Sequence, residues 1–496
     1  MNNHRTFSLF TLFILLAVGG PAVAQQNQQG GDLGTLTLQQ AIGIAQDQSP
    51  QAETARFALL ANQWQYRSYR ADLLPSLTLS GQAPNFNRSI NPVTQPDGSV
   101  VFRAQVQSEA STELFIQQNI PQTGGSLFLQ SGLERLGIFG GESTYLWSSS
   151  PLVARFSQPL FQYNSFRWQQ RIQPLQYEIA QKEYAQNMES IAQQVTNRFF
   201  SVYLNRINLE NAEFNVTRND SIYNISQGRY EVGSISENEL LQTELQLSNS
   251  QSNLTSARIE YERSLNDFKI FLGYPTSVTF DLDPPTELPE INVTLDRAVQ
   301  LAMENNSEAL DYELQELQAD ANFAQAKSES NFQFDINATY GINQTAENFV
   351  DLYDNPQNRQ SVNVSFQVPI FNWGKQRAEV QMARNQQQQT QSQIQYQRRQ
   401  FIQEIEYTVK QFMQLAGQVD RAARSDTIAQ RRYEVAQNRY LIGSISITDL
   451  FIAQSDRTSA RQSYIGALQD FWSGWYNLRQ LTLWDFRRNE PIDHQL

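Results

Sequence analysis

The octapeptide at residues 229–236 reads RYEVGSIS, and at residues 439–446 the chain reads RYLIGSIS. Six of the eight letters agree, at a spacing of 210. An internal repeat constrains architecture more than any local pattern, because each copy is one structural unit and the copies must pack on one another. The same spacing of 210 aligns Phe156, Pro159, Leu160 and Phe161 with Phe366, Pro369, Ile370 and Phe371. Further upstream the spacing becomes 257: Thr37, Leu38 and Ala41 fall on Thr294, Leu295 and Ala298, and Leu77 and Leu79 fall on Phe334 and Ile336. The first copy therefore carries 47 extra residues, inserted between about residues 80 and 155. The copies occupy residues 25–272 and 297–486, with a tail at 487–496. The connector at 273–296 holds Pro275, Pro284, Pro285 and Pro289, a density that ends helices and extends the chain.

Within the second copy, residues 295–330 read as helix. Phe332, Phe334, Ile336, Ala338 and Tyr340 then alternate with Gln333, Asp335, Asn337 and Thr339. After a polar stretch at 345–359, Val362, Val364, Phe366 and Val368 alternate in the same way with Asn363, Ser365 and Gln367. Such runs suit tilted strands of a membrane barrel, or a soluble hairpin with one wet face. Residues 161–227 and 371–437 follow, each 67 long and about 100 Å as helix at 1.5 Å per residue. Tyr184, Met188, Ile191, Val195, Phe199 and Val202 recur by threes and fours, a narrow coiled-coil stripe. A helix of this length needs partners along its flank. Residues 237–272 run back from the turn, and residues 50–74 precede the strands; end to end they nearly match one long helix. The expected unit is a tall helical wall with strands at one end and the RYxxGSIS turns at the other. Open strand edges are forbidden in lipid, so strands placed there must close by joining other copies.

The first residues resemble a secretory signal: Arg5, an apolar run at 7–18 and Ala22-Val23-Ala24, with cleavage expected after residue 24. The run is too short for a retained span. With no cysteine in the chain, neither an acylated anchor nor a disulfide is expected. The two histidines are His4 and His494, so the mature chain is expected to have no core histidine. Histidine and cysteine catalysis and the common zinc sites are set aside on that ground, and neither enzyme activity nor a cofactor or metal is expected. Two carboxylates of a glycosidase would have to converge on a cleft, and no such pair stands out. Past residue 24 the chain has 36 basic and 50 acidic residues, net −14. That sign disfavours nucleic acid and attracts cations.

The repeat plan, the Pro-Leu-Phe and Pro-Ile-Phe junctions between strand and long helix, and the Tyr-x-x-Gly turns followed by hydroxyl and acidic residues together resemble the outer-membrane efflux protein family. These are the TolC-type exit ducts of tripartite pumps and type I secretion. The resemblance covers nearly the whole mature chain. It implies an α+β membrane protein: a homotrimer with a transmembrane β-barrel in the outer membrane, continuous with a long α-helical coiled-coil barrel through the periplasm. It implies a passive channel that docks a periplasmic adaptor and an inner-membrane pump or transporter. By the same resemblance, Val232, Gly233, Ser234, Ile442, Gly443 and Ser444 are adaptor-docking tips, and Tyr230, Glu239, Tyr440 and Asp449 form the periplasmic gate. Two positions depart from the family: Ile445 stands for an arginine and Ile452 for a second constriction acid.

The repeated turn has its own physical reading. A helix reversal needs a residue that accepts positive φ, which glycine does. Ser236 and Ser446 can cap the returning helices. Glu239 and Asp449 lie where the helix dipole favours carboxylates, whether or not they serve a gate. Three chains would put six such acids around one opening, a ring that attracts cations. In the insertion, residues 111–120, 121–125 and 126–133 read as strand, turn and strand. Either both strands join the barrel, giving eighteen in a trimer instead of the family's usual twelve, or the hairpin decorates the outside; the extra strands are the preferred reading. Gln386 to Gln389 read as a solvated helix face. Phe471, Trp472, Trp475 and Trp484 read as helix packing, and Gly124-Gly125 and Gly140-Gly141 as turns. The competing class is an exported coiled-coil scaffold of the periplasm. The cargo is not written in the sequence.

Overall fold

A computed structural model describes residues 32–139 and 143–494. The expected signal segment 1–24 and the Gly140-Gly141 turn lie outside the described residues. The first half runs β1 (Asp32–Thr37), α1 (Leu38–Gln48), α2 (Pro50–Asp72), β2 (Ser76–Thr94), β3 (Val100–Ile120), β4 (Gly125–Phe139), β5 (Thr144–Leu160), α3 (Ser165–Glu231), α4 (Glu237–Phe271) and β6 (Thr279–Asp283). The second half runs α5 (Leu295–Asn305), α6 (Ser307–Glu329), β7 (Gln333–Ala346), β8 (Gln357–Gln367), α7 (Lys375–Leu441), α8 (Ile447–Thr482) and the short pair β9 (Trp484–Asp485) and β10 (Glu490–Pro491).

Both long helices have 67 residues, as expected, but each begins and ends four residues later than the sequence suggested. The junctions explain the delay. Phe161 and Trp373 take positive φ, which breaks the chain between strand and helix. Asn164 then caps α3 by accepting from the Arg167 amide, and Gly374 opens α7 in the left-handed region. The helix expected over 295–330 is in fact two. Asn306 interrupts it in an extended conformation, accepts from the Glu308 amide and donates to the Leu481 carbonyl. Ser49 makes the same break between α1 and α2, accepting from the Ala52 amide.

The sheet has the order β2-β3-β4-β5-β7-β8, antiparallel throughout. The inserted residues supply β3 and β4, which lie inside the sheet between β2 and β5. Both strands are longer than the sequence suggested, β3 by eleven residues at its start. Opposite residues of antiparallel strands share a face, so the register sorts the sheet. Leu77, Leu79, Leu114, Ile116, Leu127, Leu129, Phe156, Tyr340, Val362, Val364 and Phe366 fall on one face and all are exposed. Ser80, Gln82, Ser111, Glu113, Gln130, Asn337, Asn363 and Ser365 fall on the other. An exposed apolar face of this extent marks a membrane or protein contact.

Helices hang from the strands in the same order. α3 lies between α2 and α6 near the sheet, and between α4 and α8 toward the tips, while α7 packs against α6 and then α8. The main core gathers at mid-height, where Phe199, Phe200, Phe268, Ile405, Val409, Leu468 and Leu478 meet. Phe471 and Trp475 belong to it, their rings tilted against that of Phe412, and Trp472 packs against it. β6, from the proline-rich connector, pairs in parallel with β1 at this level. The tail corrects one expectation. His494 is half-buried, and its Nε2 lies 3.1 Å from the buried carboxylate of Glu189. The two-residue strands β9 and β10 turn the chain back so that a terminal histidine reaches the core.

Candidate functional site

The two helix reversals are built alike because their residues are alike. At the first, Gly233 has φ +73°; its amide donates to the Tyr230 carbonyl at 2.9 Å and the Ser234 amide donates to the Arg229 carbonyl at 2.8 Å. At the second, Gly443 has φ +75°, with donation from Gly443 to Tyr440 at 2.9 Å and from Ser444 to Arg439 at 2.8 Å. These bonds satisfy the last carbonyls of each long helix. A Cβ at either glycine would meet no atom within 4 Å, so the demand for glycine comes from φ alone. Val232, Ser234, Ile442 and Ser444 surround the glycines and are exposed.

Each returning helix opens with a reciprocal cap. Ser236 Oγ accepts from the Glu239 amide, and the Glu239 carboxylate accepts from the Ser236 amide. Ser446 and Asp449 repeat the pair, and the Ser446 hydroxyl also donates to Asp449 Oδ2 at 2.7 Å. The Ser446 hydroxyl and amide hold the exposed Asp449 carboxyl below the usual range, so it is charged at neutral pH. Glu239 and Asp449 are therefore helix-capping groups in this chain.

The two tyrosines part company. Tyr230 is 42% exposed, whereas Tyr440 is 6% exposed and its hydroxyl lies 3.3 Å from Ser226 Oγ. Arg229, the first letter of the repeat, donates to the Leu441 carbonyl at 3.0 Å and lies 5.5 Å above the Tyr440 ring. It ties the end of α3 to the end of α7. Tyr440 joins Tyr433, Ala436, Ile447, Leu450 and Ala453 in an apolar cluster between α7 and α8. Ile445, at the place of the family's arginine, packs against this cluster, while Ile452 is exposed. The α3–α4 hairpin is held differently. Asn219, Ser226, Thr243 and Ser250 are buried on it, and both amide atoms of Asn219 lack a partner.

Sequence reasoning missed the charged node at mid-height. Arg479 makes two bonds to Glu189, at 2.7 and 2.9 Å, and a third to Asp485. Burial alone would raise the Glu189 carboxyl; its bonds to Arg479 and His494 outweigh this and hold it below the usual range. No spacing joins residues 290 positions apart, so only a lone glutamate in the apolar stripe could have signalled it. Among the described residues no group of three or more histidine, cysteine, aspartate or glutamate side chains could hold a metal. No described helix is long and apolar enough to cross a membrane.

The family model for outer membrane efflux proteins matches residues 131–273 and 298–482, well over half of the chain. Solved structures of like fold include the CmeC outer membrane channel of Campylobacter jejuni, with a TM-score of 0.64 and 16% identity over 92% of this chain and 87% of that one. VceC of Vibrio cholerae gives a TM-score of 0.62 and 14% identity, over 90% of this chain and 95% of that one. The open MtrE channel of Neisseria gonorrhoeae gives 0.59 and 16%, over 90% and 88%. A search of curated proteins finds no match. The match takes in the second half of the first repeat and nearly all of the second, and the chain belongs to the outer membrane efflux protein family, as an efflux duct of that membrane and one of its channel proteins.

Proposed function

We propose that the protein works as a homotrimer: two tandem repeats per chain, 25–272 and 297–486 joined by 273–296, make one third of a continuous cylinder. The observation that carries this reading is the sheet. It is apolar on one face, polar on the other, and open at β2 and β8, above a helical wall that is open at α4 and α7. Unpaired backbone groups at such edges cost several kcal/mol each in lipid, and a neighbouring copy satisfies them. The barrel then sits in the outer membrane, and the helices extend about 100 Å into the periplasm.

In this reading the exposed tips at Val232, Gly233, Ser234, Ile442, Gly443 and Ser444 take a periplasmic adaptor, through which an inner-membrane transporter supplies energy. Tyr230, Glu239 and Asp449 line the gate, Tyr440 belongs to it as the packed residue behind them, and opening is an untwisting of the tip helices. The chain needs no cofactor and no nucleic acid. Gly443→Val tests the docking role. A β-branched residue at φ +75° is strained, and the reshaped tip should abolish adaptor-dependent export while native mass spectrometry still reports trimers. Undiminished export would discard docking at that tip.

A further inference from the structure

Resting on the trimeric reading, we infer that the barrel has eighteen strands and a bore matched to the helical duct. The inserted hairpin is the basis. β3 pairs with β2 from Val100 to Gln117 and β4 pairs with β5, so the two strands form part of the wall. Their turn is fastened at both neighbouring junctions of helix and strand. On one side Gln118 Nε2 donates to the Leu73 carbonyl at 3.0 Å. On the other, Asn164 Nδ2 donates to the Pro121 carbonyl at 2.8 Å and Gln158 Nε2 to the Thr123 carbonyl at 2.9 Å. A hairpin lying outside the barrel would not bridge the end of α2 and the start of α3.

Widths support the same count. The four helices α2, α3, α6 and α7 side by side, at 8–10 Å each, span about 36 Å of circumference. Six strands about 4.8 Å apart cover that arc at a tilt of roughly 40°, within the usual range for membrane barrels. Four strands would need close to 60°, or a barrel narrower than the duct. Because the six strands alternate in direction, β8 of one copy meets β2 of the next antiparallel at all three seams. Barrel diameter grows roughly in proportion to strand number, so the bore is about half again that of a twelve-stranded barrel. The register also sets the lining: the hairpin turns Glu109, Glu113, Gln130 and Glu134 to the polar face, and Leu114 and Leu129 to the apolar one.

The chain has no cysteine, so single cysteines give a clean test in the full protein reconstituted into lipid vesicles. Glu113→Cys and Gln130→Cys should react with a water-soluble maleimide at least tenfold faster than Leu114→Cys and Leu129→Cys. Equal reaction at all four places the hairpin outside the wall and overturns the inference. Electron microscopy of the unaltered protein should show a barrel as wide as the helical duct below it, and a clearly narrower barrel also overturns it. Both outcomes leave the trimeric reading standing. A monomer by native mass, without conductance in planar bilayers, sinks that reading itself.

Discussion

At the scale of single residues, Arg229 and Glu189 do work that their neighbours do not advertise. Arg229 bonds the far hairpin through the Leu441 carbonyl, so Arg229→Ala removes about 1 kcal/mol per protomer from the tie between the two tips. The expected result is a several-fold change in open probability in planar bilayers; an unchanged one would show that the bond is idle. Glu189 has its folded carboxyl below the ordinary value of 4.5. A depressed carboxylate stabilises fully above its unfolded value and stops doing so as pH falls through the folded one. The thermal unfolding temperature in detergent should therefore fall below about pH 4.5. Glu189→Gln, which leaves Arg479 poorly paired, should cost about 3 kcal/mol at neutral pH and flatten that acid limb. The octapeptide contains Arg229 in plain view, but its partner lies 212 positions away. Its role depends on which helix ends meet.

At the scale of elements, the hairpins differ where the sequence made them look alike. α7 and α8 close on an apolar cluster that includes Ile445, whereas α3 buries Asn219, at 1% exposure and without a partner for either amide atom. A buried polar group left unpaired costs about 1–3 kcal/mol, so the packing around Asn219 is a weak point of the tip. Asn219→Leu should raise the unfolding temperature and make the channel harder to open; a lower unfolding temperature would mean that the amide has a partner in the assembled protein. The length of α3 and α7 was legible, because proline and glycine are sparse over both stretches. Their ends were not, since the residues that delay them, Phe161 and Trp373, adopt positive φ against their own preference. Nor was the break at Asn306, where one capping side chain interrupts an unbroken apolar pattern; the one at Ser49 was, because Pro50 follows it.

At the scale of the whole molecule, the polar face of the sheet, which lines the bore in the trimer proposed above, sets what the duct favours. Three hairpin carboxylates per chain, Glu109, Glu113 and Glu134, face the polar side and attract cations. Changing all three to glutamine should lower the cation-to-anion permeability ratio in reversal-potential measurements, with the effect largest at low salt. An unchanged ratio would assign selectivity to the helical end. The sequence by itself determined the two copies, the long helices, the alternating strands and the glycine turns, because period, breakers and repeated letters act locally along the chain. Only the tertiary structure decided that the inserted strands enter the sheet, that Tyr440 is covered while Tyr230 is not, and that His494 reaches Glu189. Those outcomes depend on surfaces from distant parts of the chain meeting, and burial and pairing across such distances leave no periodic trace in a sequence.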